Sequence, residues 1–75
     1  MPKSPLISGK RMVKALESIG YVVVRQKGSH MRLHHPERKK VTVPDYKRIG
    51  RGLMRKILRD AEVSPKEFEQ LLKKK

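Results

Sequence analysis

Three histidines, His30, His34 and His35, fall close together in a 75-residue chain that has no cysteine. Imidazole is the side chain whose unperturbed pKa lets it take and give protons near neutrality. Arg25, Lys27, Arg32, Arg38, Lys39 and Lys40 surround them in sequence. A proton-transfer group inside a cationic cluster fits chemistry on a phosphate polymer. RNA carries its own nucleophile, the 2′-OH. Its cleavage needs a base for that proton, an acid for the departing 5′-oxygen and cations for the crowded phosphate. His30 has the chemistry for base or acid, and Arg32, Lys27 and Arg25 can supply the charge. The scheme requires no metal and no other cofactor.

The three histidines are not equivalent. A strand from His30 to His35 places Met31, Leu33 and His35 on one face and His30, Arg32 and His34 on the other. His34 lies four residues beyond His30, roughly 13 Å along a strand. That is too far for a tight pair, so His34 is an RNA contact or plain surface. His35 points to the apolar side, before Pro36, and reads as a hydrogen-bonded structural histidine. A zinc site on His30 and His34 is disfavoured, because four-residue spacing suits a helix. Ser29 invites a nucleophile reading, but no acidic orienter lies near it, which disfavours a serine hydrolase. From pattern alone, His30 is either a catalytic group or a surface histidine beside a turn.

Other cations carry two readings each. Lys47, Arg48 and Arg51, in a glycine-containing loop before a helix, either hold phosphate at the helix N-terminus or form a solvated connector. Arg38, Lys39 and Lys40 either grip phosphate or decorate a turn. Tyr21, Tyr46 and Phe68 are the only aromatics, and Phe68 is assigned to the core. Base-stacking platforms are therefore scarce, and contacts to backbone and shape with weak sequence preference are expected.

The elements that must hold the histidines are readable. After an extended lead-in over 1–7, a helix starts at Ser8 or Gly9, with Met12, Ala15, Leu16 and Ile19 at i, i+3, i+4, i+7 and Val13 widening the face. Gly20 stops it in a left-handed turn. Tyr21 to Lys27 is β-branched in its middle, Gly28-Ser29 is a turn, and His30 to His35 is a second strand. Pro36-Glu37-Arg38 turns the chain into a third strand, from Lys39 or Lys40 to Val43, which Pro44 ends. Tight turns make the sheet an antiparallel meander. A second helix is expected from about Leu53 to Ala61, with Leu53, Met54, Ile57, Leu58 and Ala61 on its apolar face. Ser64, Pro65 and Glu67 form an N-cap, N1 and capping-box series, with Val63 and Phe68 as a hydrophobic staple. They open a short third helix that carries Leu71 and Leu72 and frays at Lys73-Lys74-Lys75. The fold class is α+β in the order α-β-β-β-α, with the helices side by side on one face of the sheet. The other face, with His30, Arg32 and His34, stays open.

Charge supports a polyanionic partner. Residues 1–56 hold fifteen Lys and Arg against three acids, whereas residues 57–75 hold five against four. The whole chain carries +13, and such a lopsided field favours nucleic acid over a merely solubilising surface. No helix combines a basic face with exposed aromatics, so a membrane surface is disfavoured. The first nine residues lack the apolar run of a signal peptide, and no segment approaches the roughly 20 apolar residues of a membrane span. A single domain over 1–75 is expected, in a protein placed in the cytoplasm and monomeric when free.

One family shares these motifs in this order. Gly28-Ser29-His30, His35-Pro36, Val41-Thr42-Val43-Pro44, Ile49-Gly50-Arg51-Gly52-Leu53 and Ile57-Leu58-Arg59-Asp60-Ala61 together resemble the HicA toxins of prokaryotic toxin–antitoxin pairs, over roughly 7–72. The resemblance implies a fold like the double-stranded-RNA-binding domain (dsRBD). It implies an mRNA interferase that cleaves RNA independently of the ribosome, with activity depending on the histidine at His30. It also implies a HicB-type antitoxin that blocks the site. Two positions depart from the family pattern. Glu62 stands where a glycine commonly closes the second helix, so that helix is expected to run on towards Ser64, and Leu53 stands where threonine is frequent. The competing readings are a non-catalytic RNA-binding module of the same fold and an interaction protein whose charge serves an acidic partner.

Overall fold

A computed structural model describes residues 7–73, so most of the expected lead-in and the last two lysines lie outside the described residues. Its elements run α1 (Gly9–Glu17), β1 (Val22–Lys27), β2 (His30–His34), β3 (Val41–Pro44), α2 (Arg51–Asp60) and α3 (Pro65–Lys73). The three strands form an antiparallel sheet in the order β1-β2-β3, and the architecture is dsRBD-like α+β.

Helix α1 begins where Ser8 caps it, the Arg11 N–H donating to Ser8 Oγ at 3.1 Å. Met12, Val13, Ala15 and Leu16 are buried from it. It closes in a Schellman turn. The Tyr21 N–H reaches back to Leu16 O, the Gly20 N–H to Glu17 O, and Gly20 takes φ +110°. Four strand edges differ slightly from expectation, β2 ending at His34 and β3 starting at Val41. β1 starts at Val22, because Tyr21 is spent on the Schellman turn and buries its ring in the core, and Pro44 still pairs within β3, opposite His30.

Helix α2 corrects two expectations. It does not run on towards Ser64, because the same Schellman pattern closes it: the Val63 N–H bonds Leu58 O and the Glu62 N–H bonds Arg59 O. Glu62 takes the left-handed position at φ 61°, normally a glycine's place. Glu62→Gly is therefore expected to stabilise the fold by about 1 kcal/mol, because it removes a left-handed Cβ penalty larger than glycine's added chain entropy. A thermal melt should rise by about 4–8 °C. An unchanged or lower midpoint would mean that the turn holds Glu62 without strain. The second correction is Leu53. The helix opens earlier, at Arg51, and its core stripe is Met54, Ile57, Leu58 and Ala61, which leaves Leu53 38% exposed.

The short third helix is not an appendage. Helix α3 packs against both main helices, α1 and α2, which each lie against β3. Ser64 Oγ accepts from the Glu67 N–H at 3.0 Å, and Val63 and Phe68 are both buried, as a staple requires. Burying a phenylalanine contributes about 1.5–3 kcal/mol, enough to hold a helix this short in place.

The core is wholly apolar among the described residues: Met12, Leu16, Tyr21, Leu33, Val43, Ile49 and Met54 are its largest enclosed side chains. Tyr21 satisfies its hydroxyl by donating to Lys39 O at 2.7 Å. Burial pushes its phenol pKa upward; the Arg38 guanidinium opposes that, and Glu62 and Asp60 add to it.

Candidate active site

The site is set by the pairing of the strands. Gly28 and Ser29 join β1 to β2 in a two-residue turn with Gly28 at φ +58°, which fits a type II′ hairpin. The turn puts Lys27 directly opposite His30, and β3 puts Pro44 opposite His30 on the other side. Two rungs along, on the same face, Arg25 faces Arg32 and Arg32 faces Thr42. The last rung holds Val22 opposite His34.

A bulge makes this arrangement possible. Val23 lies opposite the buried Leu33 and Arg25 opposite the exposed Arg32, so Val24 is the extra residue between them. In a regular strand, residues 23, 25 and 27 would share a face, and Arg25 and Lys27 would point at the core with Val23. The extra residue switches the alternation. Val23 stays on the apolar side while Arg25 and Lys27 join His30 and Arg32 outside.

The open face therefore carries a dense cationic patch. Arg25 stands opposite Arg32, and like charges directly across a ladder cost stability. Among the described residues, none of Arg25, Lys27 and Arg32 is paired with an acid. Arg32 is oriented by a hydrogen bond from its guanidinium to Thr42 Oγ1 at 2.8 Å. A patch that tolerates such repulsion is suited to a polyanion.

His30 also borders a groove of about 290 Å³ between the sheet and α2. Arg32, Lys40, Thr42, Pro44 and Tyr46 line it from one side, and Leu53, Lys56, Ile57 and Asp60 from the other. The four α2 residues are spaced i, i+3, i+4, i+7, a second stripe beside the core stripe and sharing Ile57 with it. Lys56 and Asp60 are ion-paired at 3.2 Å, and the exposure of Lys56 keeps that pair's energetic worth small. Sequence reading named none of Thr42, Tyr46, Leu53, Lys56 and Asp60 as site residues. The second helical stripe was the signal that could have found the α2 members.

The remaining sequence candidates are spread out. Ser29 is exposed in the hairpin turn, and its carbonyl accepts the Asp45 N–H at 2.6 Å, which ties the turn to the segment after β3. His34 sits four rungs from His30, at the far end of the strand. Lys39, Lys47, Arg48 and Arg51 are exposed outside the groove lining, and α2 opens at Gly50 with no side-chain cap. Arg38 is drawn away from the face. Its guanidinium donates to Ala61 O at 3.0 Å and Glu62 O at 3.4 Å, where a cation caps the negative end of α2.

His35 is built into the scaffold, as its side of the strand implied. Its Nδ1 accepts the Glu37 N–H at 2.9 Å, which leaves Nε2 to donate to Ile19 O, also at 2.9 Å. Its ring lies 4.8 Å from that of Tyr21. No group of three His, Asp or Glu side chains that could hold a metal occurs among the described residues.

A family model described as HicA toxin of bacterial toxin-antitoxin matches residues 9–63, well over half of the chain. The chain belongs to the HicA toxin family. The match runs from the first residue of α1 to the residue just past the Glu62 turn, so it takes in the hairpin, the groove and the whole of α2. A comparison with curated proteins returned no match. Membership in the HicA family makes the protein the toxin half of a pair and implies an antitoxin as its partner. No helix among the described residues is long and apolar enough to cross a membrane.

Proposed function

We propose that this HicA-family toxin is an endoribonuclease, an mRNA interferase that cleaves RNA independently of the ribosome by acid–base catalysis at His30. The observation that carries the reading is the pair Lys27–His30 next to the pair Arg25–Arg32 on the same face of the sheet, an exposed imidazole set in unpaired cations. In this mechanism the RNA backbone lies across the open face, with Arg25, Lys27 and Arg32 around one phosphate. His30 takes the 2′-OH proton or protonates the 5′-oxygen as it leaves. The guanidinium groups stabilise the charge that builds on the phosphoryl oxygens. Water or a second protonated group completes the proton balance. A HicB-type antitoxin would silence the toxin by covering the same face.

Purified protein incubated with a structured RNA in EDTA is expected to cut it and leave 2′,3′-cyclic phosphate ends. Intact RNA that is nonetheless bound would transfer the assignment to a non-catalytic RNA-binding module of this fold.

A further inference from the structure

The groove beside His30 has a chemistry different from the open face. Its lining is mixed: charged and polar groups from both sides enclose an apolar part made by Val41, Pro44, Tyr46, Leu53 and Ile57. Tyr46 is 48% exposed and Leu53 38%, two of the four large apolar side chains that the described surface leaves open. Both border this one groove. Its volume of about 290 Å³ sits at the small end of ligand clefts, which span roughly 300–1,000 Å³. A backbone phosphate has no use for that apolar part. An unstacked base does.

The setting of Tyr46 suits that use. Its main chain is fixed, because its carbonyl accepts the Gly9 N–H at 2.8 Å, while its ring stays half exposed on the groove. An aromatic ring held on a rigid backbone loses little freedom when a base stacks on it. The groove shares His30 and Arg32 with the cationic face, so a strand whose phosphate lies at His30 has its neighbouring base within reach. We propose that the groove is a single-nucleobase site, in which the base next to the reacting phosphate stacks on Tyr46 against Leu53 and Pro44, with a preference for purines. The larger face of a purine stacks more strongly, which is how such platforms acquire modest sequence preference. The scarcity of aromatics thus does not remove base contact; it confines it to one position. Which phosphate is cut rests on the nuclease reading above, but the stacking does not need cleavage.

The test uses the full chain carrying His30→Ala, so that no RNA is consumed, and a short single-stranded RNA with one 2-aminopurine. Binding is expected to quench the probe. Adding Tyr46→Phe should keep the quench, and adding Tyr46→Ala should abolish it and weaken binding by about 30-fold, the middle of the range for one stacked base. On the otherwise unaltered protein, Tyr46→Ala should raise KM by a similar factor with kcat nearly held, and erase purine preference from the cleavage map. A Tyr46-dependent quench in a protein that cuts nothing would uphold the base site while the nuclease reading falls. Equal quench and affinity in the Ala and Phe variants, or cleavage at unchanged sites with unchanged KM, would overturn the base site and leave the nuclease standing.

Discussion

His30→Ala is expected to lower the RNA cleavage rate by about 10²–10⁴, the contribution of one acid–base residue, without moving the melting temperature. The two halves of that result have separate causes. His30 is exposed, and its side chain makes no hydrogen bond among the described residues, so truncating it removes no packing. The chemistry goes with the imidazole alone. His35→Ala should behave in the opposite way. It deletes the bonds to Ile19 O and from the Glu37 N–H together with the contact on Tyr21, so the melt should fall and activity should follow only as far as the fold does. Cleavage rates and melts on both variants make the comparison. A His30→Ala protein that cuts at the parent rate would end the proposed mechanism.

Gly9→Ala should destabilise the protein by about 2–3 kcal/mol, although helix propensity alone predicts a gain of about 1 kcal/mol. A Cβ on Gly9 would lie 1.9 Å from Pro44 O, 2.9 Å from Pro44 C and 3.1 Å from Asp45 Cα. All three are main-chain atoms, so no side chain can swing aside. The loss is a large part of the roughly 4–11 kcal/mol that holds a chain of this length. It should also reach the site. Pro44 pairs with His30, and the Asp45 N–H bonds Ser29 O, so a shift that accommodates the methyl displaces the strand beside the hairpin tip. The urea midpoint gives the sign directly. A midpoint that rises would show that α1 can lift off Pro44 at no cost, and the close approach would lose its meaning.

Much of this arrangement could be read from local chemistry. The stripe Met12–Ala15–Leu16, the alternation through His30–His34 and the Ser64-Pro65-x-Glu67 cap each depend on residues within one turn or one strand, and each appears in the structure. What escaped depends on partners far along the chain. Three consecutive valines do not announce which one bulges; only the pairing of Val23 with Leu33 and Arg25 with Arg32 singles out Val24. The reach of Arg38 to Ala61 O spans 23 residues. Glu62 gave the wrong expectation because its side chain carries no sign of a left-handed backbone, which the bonds from Val63 and Glu62 back to α2 impose. Leu53 looked like core because it borders the core stripe by one position. It faces the groove instead.

The crowding of the helices towards β3 also divides the sheet mechanically. β1 joins the described fold almost wholly through β2, and five of its six residues are exposed. Local opening free energy follows buried contact, so its outer amides should exchange with solvent well before those of β2 and β3. Arg25 and Lys27 ride on this compliant strand, whereas His30 stands on the clamped one. Under the proposed mechanism, the cations would adapt to the path of an RNA strand while the imidazole keeps its coordinates. Such a division would let a small domain of this mechanism tolerate irregular substrates without a hinge between bodies.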